Sequence, residues 1–255
     1  MLKVDSSQKC AAQPLNIQIA GENALIIYFS EHTSDDTAAK VQQAERLIRQ
    51  TMQGDLSAGI IDLVPSYASL MVMFDLLNTD HHQVRNKLRA LLNNLDYVQT
   101  LSHVDETGLV ELPVYYAAES GPDLTVIANR SKLTVEQVIE IHQSQVYRVY
   151  AIGFAPGFAY LGEVDERIAT PRLSTPRMKV PKGAVAIADK QTAVYPSVSP
   201  GGWNIIGLCP IDMFDATLTP TMSVKVGDKV KFKAISQTEF LALGGKLPKK
   251  LGAIS

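Results

Sequence analysis

The chain has 255 residues, 46% of them hydrophobic and 20% charged, with a formal net charge of -2. That composition suits an ordinary globular protein with room for one large or two small domains, each able to bury its own core. A nearly neutral balance, with an isoelectric point near 6.2, excludes a global electrostatic pull toward nucleic acid or anionic membranes, so any anion binding must be local.

Residues 1–14 read as an extension. Ala24 to Phe29 is a short apolar run that suits a buried strand, and from Asp35 to about Met52 the residues Val41, Ala44, Ile48 and Met52 recur at helical spacing, with Ser34 as N-cap. Ala58 to Val64 and Leu70 to Phe74, separated by a Pro65-Ser66 turn signal, predict a hairpin. Val84, Leu88, Leu91 and Leu95 define a second amphipathic helix, before a strand at Leu109 to Tyr115. The order β-α-β-β-α-β predicts a ferredoxin-like domain over residues 15–115. A helical connector, residues 116–146, carries a capping-box spacing at Thr134 and Gln137 and places His142 near a helix end. Short β-type runs then recur between turns over residues 147–240, which reads as a β-barrel or sandwich, with residues 241–255 as a tail. The fold class is α+β. Cys10 and Cys209 lie far apart and match no metal-ligand spacing, so they read as reduced thiols, with no metal. No apolar run has the form of a signal peptide or a membrane span, and a cytoplasmic protein is expected.

The candidate chemistry concentrates between Tyr147 and Pro210, where glycine, proline, arginine and aromatic residues are mixed. From Arg167 to Lys190 there are six basic residues, Arg167, Arg172, Arg177, Lys179, Lys182 and Lys190, against one acid, Asp189. Pro171 and Pro176 each precede an arginine and limit the loop entropy lost when those side chains engage an anion. The alternative is a solvated basic loop. Gly153 to Phe158, including Phe154, Pro156, Gly157 and Phe158, forms either a tight turn presenting aromatic faces or a hydrophobic corner. Ser199 to Trp203 either offers backbone N–H groups at Gly201 and Gly202 to an anion or connects two strands, with Trp203 either a core residue or, with Tyr195, a pocket wall. His142 is a general base, or else a structural residue or a helix-terminal cap. Asp123 and Glu163 read as isolated acids. Phosphate-binding loops, a dinucleotide fingerprint, a nucleophile elbow and zinc spacing are absent from the sequence. Such a chain is not a self-contained ATPase or nucleophilic hydrolase.

The runs GFAPGFAYL at Gly153 to Leu161, PRLSTPRMKVPKGAVAIA at Pro171 to Ala188 and QTAVYPSVSPGGWNIIG at Gln191 to Gly207 resemble the KipI family, also called allophanate hydrolase subunit 1, which includes the 5-oxoprolinase B subunits (PxpB). A weaker match covers LPVYY, GPDL and the helix ending at His142. The chain departs from the family pattern at Ala184, Ala193 and Cys209, often serine, glycine and threonine. The resemblance implies a cyclophilin-like C-terminal barrel and work with a KipA/PxpC-type and a PxpA-type subunit, opening 5-oxo-L-proline to L-glutamate with ATP used at the level of the complex. It equally leaves open an inhibitor of a sensor histidine kinase or a carboxyltransferase component of a urea carboxylase or allophanate system. On the oxoprolinase reading, His142, Arg172, Arg177 and Lys179 are the candidate catalytic residues. Phe154, Pro156, Gly157, Phe158, Lys182, Gln191, Tyr195, Gly201, Gly202 and Trp203 are the candidate substrate contacts.

Overall fold

A computed structural model describes residues 15–52, 59–93 and 108–248. The expected extension, Cys10, Ala58, Leu95 and residues 249–255 of the tail lie outside the described residues. The chain divides into two compact units, Met1–His103 and Val104–Ser255.

In the first unit, β1 (Asn16–Ile19), β2 (Ala24–Tyr28), β3 (Ile60–Ser66) and β4 (Ser69–Phe74) form an antiparallel sheet in the order β1-β2-β4-β3. Helices α1 (Asp35–Thr51) and α2 (His81–Leu92) bury one of its faces. The helices begin at side-chain caps: Thr37 N–H donates to Ser34 Oγ at 3.1 Å, and His82 and Gln83 N–H donate to Asp80 Oδ1 at 2.8 and 2.9 Å. Each such cap is worth about 1 kcal/mol. Alternate strand residues Leu25, Ile27, Leu70, Val72 and Phe74 meet Val41, Ala44, Ile48, Val84 and Leu88 from the helices, as the two periodicities require. The predicted hairpin is present, but its turn is Tyr67-Ala68, between paired Ser66 and Ser69. Pro65 stays within β3, which tolerates it because β3 lies at the sheet edge.

The ferredoxin-like expectation requires correction. β2, α1 and β3 do enclose β4 as a split βαβ unit, yet the place beside β2 is taken by β1. The last expected strand, β5 (Leu109–Val114), instead pairs in parallel with a strand near the end of the second unit. Strand β1 has one buried residue, Ile17, among four, too weak a pattern to read as a strand.

The second unit is built on α3 (Leu124–Ser131), α4 (Val135–Ser144), β6 (Val146–Ile152), β7 (Ala159–Gly162), β8 (Arg177–Val180), β9 (Ala184–Ala188), β10 (Gln191–Val194), β11 (Ser199–Gly201), β12 (Asn204–Leu208), β13 (Lys229–Ala234) and α5 (Gln237–Ala242). Seven strands run in the order β12-β9-β10-β7-β6-β13-β5. The two ends of that sheet meet through a bridge in which Tyr115 and Leu208 exchange N–H to carbonyl bonds of 2.9 and 3.0 Å. The result is a nearly closed barrel.

All seven strands send side chains into one cluster, among them Leu112, Val114, Tyr147, Val149, Leu161, Val185, Val194, Ile206, Val230 and Phe232. This cluster is the barrel interior. Leu124 and Ile127 of α3 and Val138 and Ile141 of α4 join it, so the expected connector contributes to the core, and the capping box of α4 at Thr134 and Gln137 is present. A second cluster lies on the opposite face of β9, β10 and β12, where Ala184, Ala186, Ala188, Ala193 and Ile205 pack with Phe158, Tyr195, Trp203 and Phe240. Alternation explains the division: in β9, Val185 and Ile187 point one way and the three alanines the other. Strands β8 and β11 form a separate two-stranded ribbon. Among the described residues no helix is long and apolar enough to cross a membrane.

Candidate functional site

The second cluster reaches the surface where the Gly153 to Phe158 turn, the Pro171 to Arg177 loop and the Gly201 to Trp203 corner converge. The turn is closed by Gly153 N–H donating to Phe158 O at 3.0 Å and Phe158 N–H to Ala155 O at 2.9 Å. Phe154 sits at φ 70° and is 65% exposed, a costly backbone state for a bulky residue. Its ring meets Phe158 edge-on at 5.2 Å. Gly157 adopts φ +81°, and a Cβ there would lie 2.7 Å from Met213 O, so only glycine fits. Pro156 is exposed on the same turn.

Phe158 is the hub of the aromatic group, with Tyr160, Tyr195 and Trp203 at centroid distances of 4.9, 5.2 and 5.6 Å and steep interplanar angles. Edge-to-face contacts of this kind add about 0.5–1.5 kcal/mol each to burial. Burial pushes the Tyr195 phenol up to about 12 against the pull of the Arg172 and Arg177 charges. Gly201 packs on that phenol, and a Cβ there would collide with Tyr195 Oη. Neither Gly201 nor Gly202 is among the positive-φ residues, and Gly201 lies in β11, paired with Arg177. The corner is a strand connection with close packing, not a left-handed nest.

The basic loop divides by partner. Arg167 pairs with Asp165 at 2.8 Å, and Lys190 with Glu166 and Lys182 with Asp212 at 2.7 Å each. Arg177 is committed inward: its Nη2 donates to Asp123 Oδ1 at 2.7 Å, with side-chain exposures of 8% and 4%. Asp123 Oδ2 accepts from Ile205 N–H at 2.7 Å. This buried pair ties β8 to the start of α3 and β12, which corrects the expectation that Arg177 receives a substrate anion. Arg172 differs. It is exposed, makes no ion pair among the described residues, and places its guanidinium carbon 5.6 Å from the Trp203 ring centroid, within cation–π range. Leu173 N–H, next along the chain, donates to Gly202 O at 2.7 Å, and Asn204 Nδ2 donates to Pro171 O at 2.9 Å. Lys179 is exposed on β8.

His142 belongs to the barrel interior, and the general-base expectation is corrected accordingly. It is fully buried and stacked on Phe232 at 4.6 Å. Nδ1 shares a hydrogen bond of 2.8 Å with Tyr116 Oη and Nε2 one of 3.0 Å with Thr192 Oγ1. Burial lowers its pKa to about 3, so it is a neutral structural group. Gln191 opens β10 at the end away from Tyr195, paired with Gly162 and Ala188. The structure thus gathers Phe154, Phe158, Arg172, Tyr195, Gly201, Gly202 and Trp203 into one cluster, in which Phe158, Tyr195 and Trp203 are buried and Phe154 and Arg172 are exposed, and leaves His142 and Gln191 elsewhere. Sequence reasoning misses the roles of Asp123, which reads there as an isolated acid, and of Asn204. Both lie inside the family-like runs, but nothing local marks their partners.

What the cluster offers to solvent is an exposed guanidinium, Arg172, beside the exposed Phe154 turn, and a planar guanidinium of this kind suits an anion. The model of the carboxyltransferase domain, subdomain C and D, matches residues 15–224. A curated Bacillus subtilis protein, named as the B subunit of 5-oxoprolinase, is 35% identical over 234 residues, covering 89% of this chain and 95% of that protein. The crystal structure of TTHA0988 is 31% identical with a TM-score of 0.71, covering 89% of this chain and 41% of that one; the chain thus spans less than half of that polypeptide. The Kluyveromyces lactis urea carboxylase structure, 15% identical with a TM-score of 0.67 over 89% of this chain and 22% of that one, shares the fold. The chain belongs to the family of the carboxyltransferase domain, subdomain C and D.

Proposed function

We propose that this chain is the B-type subunit of an ATP-dependent 5-oxoprolinase, acting with C-type and A-type subunits to open 5-oxo-L-proline to L-glutamate. The observation that carries the reading is the match along 95% of the B. subtilis protein that bears the 5-oxoprolinase name. The site geometry supports it, because 5-oxoproline is a small ring bearing one carboxylate, and Arg172 offers an exposed guanidinium packed on the buried Trp203 ring.

The lactam is a stabilised amide and a poor electrophile. Transfer of the ATP γ-phosphoryl group to the lactam oxygen releases ADP and makes the ring carbon electrophilic; one water adds there, the C–N bond breaks with the nitrogen leaving as the amine to give an acyl phosphate, and a second water releases phosphate and glutamate. In this chain Arg172 would hold the carboxylate and Lys179 would add positive potential. Arg177 has no such role, since buried Asp123 holds its charge, whereas Lys182, in a solvent-exposed pair with Asp212, would add positive potential with Lys179. The sequence has no glycine-rich phosphate loop, so ATP binding and the groups that activate water fall to the partner subunits.

The test is glutamate formation from 5-oxoproline and ATP by purified subunits. Turnover is expected from the assembled B-, C- and A-type subunits and its loss when this chain is omitted. Full turnover by this chain alone, or undiminished turnover without it, would overturn the reading. A carboxyltransferase role, favoured by the family description, predicts instead activity with a carboxybiotinyl partner and none with 5-oxoproline.

A further inference from the structure

Among the six basic residues of the Arg167 to Lys190 segment, Arg172 is the one that is exposed, without an ion pair among the described residues, and packed on an aromatic ring. A long flexible side chain does not take one position over a ring without help, since immobilising it costs rotamer entropy. The help visible around Arg172 is on its backbone. The carbonyl before it, Pro171 O, accepts from Asn204 Nδ2 at 2.9 Å, and the N–H after it, Leu173 N–H, donates to Gly202 O at 2.7 Å. Asn204 is 1% exposed, and the same Nδ2 also donates to Ile187 O at 3.1 Å in β9. One buried amide therefore joins the arginine loop to the barrel wall, while its own backbone directly follows Trp203, the ring beneath Arg172. The two halves of the stack are referenced to the same residue.

We infer that Asn204 is a positioning residue for anion recognition: its amide fixes the Pro171-Arg172 backbone so that the Arg172 guanidinium stays over Trp203, ready to receive a carboxylate. Nothing in this role requires Asn204 to touch substrate. Only a residue with two donor hydrogens on one planar nitrogen can serve both carbonyls at once. Serine keeps one donor and should weaken the clamp; alanine removes both side-chain donors to Pro171 O and Ile187 O. The inference rests on the oxoprolinase reading only for the identity of the carboxylate, not for the clamp itself.

Trp203 is the chain's only tryptophan, so its fluorescence reports the stack in the isolated chain without ligand or partner. Arg172→Ala should shift the emission and raise iodide quenching. Asn204→Ser should move both in the same direction, Asn204→Ala further, and the double variant Asn204→Ser/Arg172→Ala should match Arg172→Ala alone. In the assembled enzyme, Asn204→Ser should raise KM for 5-oxoproline about tenfold with kcat changed less than about twofold, with no further rise when Arg172→Ala is already present. Circular dichroism identifies any variant that has unfolded; Asn204→Ser then carries the test if Asn204→Ala does not fold. Wild-type emission in folded Asn204→Ser, an unshifted Arg172→Ala, or additive effects in the double variant would overturn the inference. If the wild-type assembly does not turn over 5-oxoproline, the oxoprolinase reading fails, and the fluorescence cycle still decides the clamp.

Discussion

His142 is held neutral by burial, with both ring nitrogens already hydrogen-bonded to Tyr116 and Thr192. In the folded state it resists protonation until about pH 3, whereas the unfolded chain takes the proton near 6.5. Its contribution to stability is therefore complete above pH 6.5 and is lost as pH falls from there toward 3, at up to about 1.4 kcal/mol per unit. Between pH 7.5 and 5 this predicts a loss of about 2 kcal/mol in urea-unfolding free energy, absent in His142→Gln; the same slope in both proteins would contradict it. Arg177→Ala is expected to cost about 3–5 kcal/mol, because it leaves Asp123 charged and buried without its partner. A loss below about 1 kcal/mol would show that the pair is not the anchor described. Residue types announce the basic, aromatic character of the site. Which arginine faces outward is not legible in the sequence, because the acid that claims Arg177 lies 54 positions away and its pairing depends on the assembled barrel.

At the scale of elements, the Gly153 to Phe158 turn holds an aromatic residue in a left-handed backbone state, and a functional return on that strain requires that the ring be used. Phe154→Asn should leave thermal stability within about 1 kcal/mol, since asparagine tolerates that region, while raising KM for 5-oxoproline several-fold in the assembled enzyme. Unchanged KM would remove the ring from the site. Helices α1 and α4 are legible in the sequence because their caps are local, Ser34 and Thr134 each bonding within three residues, and α2 is legible from the helical spacing of Val84, Leu88 and Leu91. Strand β5 is legible as a strand, but not its sheet, since its parallel partner β13 follows after the whole barrel. The glycine corner is ambiguous in the sequence for a related reason. Gly201 is required by the nearby Tyr195 phenol rather than by backbone conformation, and that neighbour appears only when β10 and β11 are folded. Gly201→Ala should accordingly destabilise by about 1–3 kcal/mol through overpacking, as measured by thermal unfolding.

In the whole molecule, the barrel unit presents an exposed guanidinium at Arg172 without an ion pair among the described residues, while the sequence carries no phosphate-loop or nucleophile-elbow motif. That division of labour is what a B-type subunit would need if its partners bring ATP and the attacking water. On the proposed oxoprolinase function Arg172, rather than Arg177 or His142, would receive the substrate carboxylate. The most direct measurement is KM for 5-oxoproline in the assembled three-subunit enzyme carrying Arg172→Ala. A charge-assisted contact worth about 1.5–3 kcal/mol predicts a rise of roughly tenfold to a hundredfold, with the variant still folded because the side chain is exposed. An unchanged KM would contradict the account.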